Sequence, residues 1–113
     1  MAVIEVTDEN YKELIKAELP IIIDHFADWC GPCKILSPIF EKISDSYNKK
    51  LRFGKLDTEQ YPEIATQNSV FSIPCLIIFN NGKEIERIVG YMNESKLREK
   101  VDGVLKRILK EKA

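Results

Sequence analysis

Residues 21–34, IIIDHFADWCGPCK, run from a β-branched apolar segment straight into two cysteines set apart by Gly-Pro. Ile21 to Ala27 is almost continuously apolar, the pattern of a central strand covered on both faces. Beyond Cys33, the residues Ile35, Leu36, Ile39, Phe40, Ile43 and Tyr47 keep helical spacing with Pro38 among them, which predicts a long helix kinked at that proline. The cysteine pair therefore falls where a buried strand ends and a helix begins. Unpaired backbone N–H groups and the helix dipole favour an anion at such a place, and the thiolate is the reactive form of cysteine. Cys33, one turn on, can bring its sulfur within bonding reach of Cys30. Gly31 allows another chain to come close, Pro32 stiffens the pair without losing a helix hydrogen bond, and Trp29 stands where it can cover one side.

A closely spaced cysteine pair holds a metal, staples a loop or exchanges a disulfide. Structural zinc takes four ligands as a rule. The soft ligands here are Cys30, Cys33, Cys75 and His25, with no second Cys-x-x-Cys. A stapled secreted domain carries more cysteines, in even number and at wider spacing. Core filling would give no reason for Gly-Pro between the two. Disulfide exchange is the leading reading, and it requires no metal or cofactor.

The rest of the chain fits around this junction. With 113 residues and 44% hydrophobic content, residues 1–113 suit one globular domain. Seventeen Lys and Arg against eighteen Asp and Glu leave a net charge of −1, which gives no support to nucleic-acid binding. The apolar runs are too short to cross a membrane. MAVIEVTDEN turns acidic at once, unlike a secretory signal, so a reducing cytoplasm is the expected compartment. A strand is expected over residues 2–6 and a helix over 8–18, capped by Thr7. Further strands are expected over 51–57, 72–79 and 83–89, the last two joined by a tight turn at Asn80-Asn81-Gly82. A short helix fits Pro62 to Gln67, and Leu97, Val101, Val104, Leu105 and Ile108 mark one face of a final helix. The order β-α-β-α-β-α-β-β-α predicts an α/β protein with a mixed sheet and helices on both faces.

WCGPCK after an apolar strand, Asp24 ahead of the first cysteine, Lys55 before an aspartate in the next strand, and Ile73-Pro74 downstream together resemble the thioredoxin family. The resemblance runs from Val3 to about Leu109. It implies the thioredoxin fold: a central mixed sheet of about five strands flanked by four helices in three layers. It also implies a protein-disulfide reductase in which Cys30 attacks a substrate disulfide and Cys33 resolves the mixed disulfide. Asp24 would be the family's buried acid assisting Cys33, with Lys55 its charge partner. Pro74 would be the family's cis-proline beside the dithiol, and Trp29, Gly31, Pro32, Ile73, Pro74 and Gly90 would contact substrate. Implied partners are a thioredoxin reductase and disulfide-containing proteins such as peroxiredoxins, reductases and other thiol enzymes, with the chain itself a monomer.

Three positions depart from the family pattern. His25 stands where an apolar aromatic is usual; alternation puts it on the strand face away from Asp24, where a locally hydrogen-bonded, packed histidine is expected. Phe26 stands for a common Trp. Cys75 replaces the commoner threonine after the proline, either as a buried small residue or as a third thiol. The rivals to a reductase are a disulfide oxidase or isomerase, and a non-catalytic binding module. The oxidase favours histidine between the cysteines; the binding module tolerates loss of a cysteine, Asp24 or Pro74.

Overall fold

The computed structural model describes residues 3–112. Its centre is β2 (Ile21–Phe26), in which every residue from Ile21 to His25 is buried. β2 pairs in parallel with β3 (Arg52–Asp57) on one side and antiparallel with β4 (Cys75–Asn80) on the other. β1 (Val3–Glu5) extends the sheet in parallel beyond β3, and β5 (Lys83–Val89) closes the other edge antiparallel to β4. The order is β1-β3-β2-β4-β5. The expected position 2 of the first strand lies outside the described residues.

Side chains alternate across a strand, so this sheet has two apolar faces. On one, Ile22, Phe53, Leu76 and Ile78 pack against Leu36, Phe40 and Ile43 of α2 (Gly31–Ser44) and Leu97, Val101, Val104 and Ile108 of α4 (Glu94–Lys112). On the other, Ile21, Ile23, Leu56, Ile77 and Phe79 meet Tyr11 of α1 (Tyr11–Lys16) and Ile64 of α3 (Pro62–Gln67). The result is the three-layer thioredoxin fold, with five strands and four α-helices among the described residues. Phe53 lies at the centre of the first face, 5.0 Å from the Phe40 ring and 6.0 Å from that of Tyr47. Cutting Phe53 to alanine would cost roughly 3–5 kcal/mol, the usual range for a buried aromatic.

Several boundaries differ from the sequence expectation. α1 begins at Tyr11 rather than residue 8 because Thr7 and Asn10 build a turn first. The Thr7 hydroxyl accepts from the amides of Glu9 and Asn10, and the Thr7 amide donates to Asn10 Oδ1 at 2.7 Å. α2 runs on through Pro38, which supplies no amide to the carbonyl one turn back. β4 starts at Cys75, since residues 72–74 form a bend rather than strand. Asn81 (φ 54°) and Gly82 (φ 81°) make the expected tight turn into β5.

Candidate active site

At the C-terminal end of β2 the chain turns through Ala27 to Trp29, with the Cys30 amide donating to the Ala27 carbonyl at 3.2 Å. Cys30 is the N-cap of α2, with extended backbone (φ −88°, ψ 110°). Its sulfur accepts the amide N–H of Cys33 at 3.2 Å, as a capping oxygen would. Pro32 sits in the first turn, where a missing N–H costs nothing. Cys30 and Cys33 are joined as a disulfide, their Cα atoms 5.3 Å apart.

Both cysteines are nearly covered in this form, Cys30 at 4% and Cys33 at 2% exposure, so Cys30 is less open than a helix-start position suggests. Its sequence neighbours are not: Trp29, Gly31 and Pro32 are all exposed. Trp29 leans toward the β3–α3 connection, where its indole N–H donates to Glu59 at 3.1 Å. Ile73 and Phe26 pack against the small cluster of Ala27, Cys30 and Cys33. The Ile73–Pro74 bond is cis, and the Ile73 carbonyl oxygen lies 3.8 Å from Cys30 Sγ. The Gly90 amide donates to the Pro74 carbonyl at 2.8 Å, tying the end of β5 to this bend. Gly90 has φ 92°, which is reason enough for a glycine at that position.

Beneath the pair lies Asp24, 3% exposed, in register with Lys55 of β3 and Leu76 of β4. Burial pushes its carboxyl up to about 7, with the charge of Lys55 pulling the other way. Oδ1 of Asp24 has no hydrogen-bond partner among the described residues. Lys55 is exposed, and the two side chains do not close an ion pair within the described residues; Lys55 acts on Asp24 through its field rather than by contact. A cavity of about 230 Å³ joins Asp24, Lys55 and Phe26 to Cys33, Ser37 and Glu41 of α2. A buried acid and one cysteine of the pair thus share one space.

His25 and Cys75 lie elsewhere. They are register partners on the face toward α1 and α3, away from Asp24. His25 is fully buried; its Nδ1 lies 3.0 Å from the Cys75 carbonyl oxygen and 3.2 Å from that of Ile23. Burial holds the imidazole below its ordinary range and pushes the Cys75 thiol up. Cys75 is a buried core residue, the first of the two readings its sequence position leaves open. The four soft side chains are therefore split between two faces of the sheet.

Sequence reasoning passed over Phe71, Val89 and Tyr91, which are exposed at 88%, 56% and 46% on the segments flanking Ile73 and Gly90. Apolar residues next to strand ends read as core, and nothing in their spacing marks them as surface.

The geometry agrees with comparison to known proteins. The family model described as Thioredoxin matches residues 2–103. A thioredoxin of Alicyclobacillus acidocaldarius is 32% identical over 104 residues, covering 92% of this chain and 99% of that protein. One from Staphylococcus haemolyticus is 37% identical over 102 residues, covering 90% and 97%. The M-type chloroplastic thioredoxin of spinach is 36% identical over 102 residues, 89% of this chain, which spans 56% of that protein's length. With its redox-active Cys30–Cys33 pair at the start of α2, the chain belongs to the thioredoxin family.

Proposed function

We propose that the protein reduces disulfides in other proteins, with Cys30 as attacking sulfur and Cys33 as resolving sulfur. The observation that carries this is the asymmetric setting of the pair. Cys30 Sγ receives the Cys33 amide N–H at the start of α2, which favours a thiolate there once the pair is reduced. Cys33 opens instead onto the cavity that holds Asp24.

The steps follow from these positions. Cys30 thiolate attacks one sulfur of a substrate disulfide, forming a mixed disulfide and releasing the other sulfur as a thiolate that takes a proton from water. Asp24, ionised, takes the proton of the Cys33 thiol, directly or through water in the cavity. Cys33 thiolate then attacks Cys30 Sγ, the substrate's second sulfur leaves as a thiolate, and the Cys30–Cys33 disulfide forms. Two electrons pass from the pair to the substrate. Lys55 tunes Asp24 by its charge. Trp29, Gly31, Pro32, Ile73 and Gly90 form the contact surface for the substrate chain, while Pro74, expected among them, is buried and shapes the bend beneath it; a Cβ on Gly31 would meet nothing within 4 Å, so the protein's own packing does not require a glycine there. Regeneration falls to a flavin-dependent thioredoxin reductase, and peroxiredoxins, reductases and other thiol enzymes are the substrates in view. A reducing, cytoplasmic setting suits a chain whose third cysteine is buried.

The reduction potential tests the direction of the reaction. Equilibration of the pair against glutathione should give a value well below the roughly −180 mV of a protein disulfide isomerase; a value near about −120 mV would make it an oxidase instead.

A further inference from the structure

Among the described residues the exposed large apolar side chains include Trp29, Phe71, Val89 and Tyr91, all on the three segments that frame Cys30. Single exposed apolar residues are ordinary, but a group around one reactive sulfur is not. Phe71 is the extreme case at 88% exposure, against 69% for Trp29. Its backbone is held on both sides. Before it, the Arg87 guanidinium donates to the Asn68 and Ser69 carbonyls at 2.6 and 3.1 Å, and the Val70 amide donates to Ala65 at 2.9 Å. After it, Ile73 packs on the cysteine pair and Pro74 is bonded to Gly90. Val70 turns inward to the core while Phe71 turns out.

Across the bend, Cys75 is in register with Val89 and the Gly90 amide donates to the Pro74 carbonyl at 2.8 Å, so Tyr91 follows directly on the residue bonded to the bend. Residues 68–82 and 88–93 carry no charged side chain. A partner laid along this bend is thus offered aromatic and aliphatic surface on a fixed backbone.

We propose that Phe71, seconded by Tyr91, is a specificity-determining contact: it receives a bulky apolar side chain lying a few residues from the cysteine of a substrate disulfide. This rests on the reductase function proposed above and names the class of substrate it favours. A substrate segment that reaches Cys30 along the Ile73 carbonyl continues past Phe71, two residues earlier in the same bend. An aromatic pre-positioned there adds apolar contact at little entropic cost, whereas a small disulfide does not extend that far.

Three probes test it: 2-hydroxyethyl disulfide, and two disulfide-linked peptides identical except for Phe or Ser two residues from the cysteine. The reduced protein should favour the Phe peptide over the Ser peptide by about tenfold in rate constant, a typical effect for one buried aromatic anchor. Phe71→Ser should erase that preference with less than about a twofold change on 2-hydroxyethyl disulfide, and Phe71→Tyr should restore it. A preference that survives Phe71→Ser overturns the proposal, as does an equal loss on all three probes. A parent protein that reduces none of the three would contradict the reductase function itself, and with it this contact.

Discussion

Asp24 and Cys33 line one cavity, Asp24 from the strand that precedes the cysteine pair and Cys33 from the helix that follows it. A carboxyl whose buried oxygen has no partner, and which closes no ion pair, among the described residues is costly to ionise. Its place beside one sulfur of the pair supports the proton-transfer role proposed for it.

The cost has a definite pH window. The folded value of Asp24 is raised from 3.8 to about 7, so the folded protein holds this proton more tightly than the unfolded chain does. Asp24 therefore lowers stability above pH 7, and the penalty fades as pH falls from 7 toward 4. The linkage is about 1.4 kcal/mol for each pH unit between the two values, a few kcal/mol in all. Asp24→Asn should raise the denaturant midpoint at pH 8 and converge with the parent near pH 4. It should also slow disulfide reduction about tenfold and remove an inflection near pH 7 from the rate. Unchanged rates at every pH would leave Asp24 without a catalytic part.

His25 has the opposite sign. Its folded value is depressed by burial, so the unfolded chain binds the proton more readily and stability falls as pH drops below about 6.5. Desolvation, with the charge of Arg87, outweighs the opposing effect of the Cys75 and Ile23 carbonyls and of Glu84. His25→Phe, which replaces a buried ring bearing an unpartnered Nε2, should flatten the acid limb of an unfolding curve. An unaltered slope between pH 6.5 and 5 would show that other groups set that limb.

Cys75 should be chemically silent. It is 1% exposed and its thiol is pushed up by burial, so native oxidised protein should react with a thiol reagent only as fast as it unfolds, giving one thiol per chain in denaturant. Cys75→Val, a β-branched replacement at the start of a strand, should keep disulfide reduction within about threefold. Loss of activity in a folded Cys75→Val protein would bring the third sulfur into the mechanism.

The central strand, the crossover helices and the hairpin are legible in the sequence because each carries a local signal: a nearly continuous apolar run in Ile21 to Ala27, helical apolar spacing after Cys33, and Asn80-Asn81-Gly82 between the last two strands. The start of α1 is not, because Thr7 and Asn10 exchange hydrogen bonds in a turn that resembles a cap in sequence but precedes the helix. Asp24 stands out as an acid in an apolar run. Lys55 illustrates the limit of that reading: register puts it beside Asp24, yet its long side chain carries its ammonium to the surface. Phe71 and Tyr91 are invisible for a related reason, since whether an apolar residue faces core or solvent at a strand end is decided by the bend at Ile73 and Pro74.

Trapping the covalent intermediate tests the division of labour between the two sulfurs. Reduced Cys33→Ser protein is mixed with a disulfide substrate and its adducts are mapped by mass spectrometry, alongside Cys30→Ser. The expected result is a stable mixed disulfide on Cys30 in the first protein and no reaction in the second, because an attacker without a resolver stalls after its first step. Stable adducts on Cys33 in the Cys30→Ser protein, with none on Cys30 in the other, would contradict the assignment.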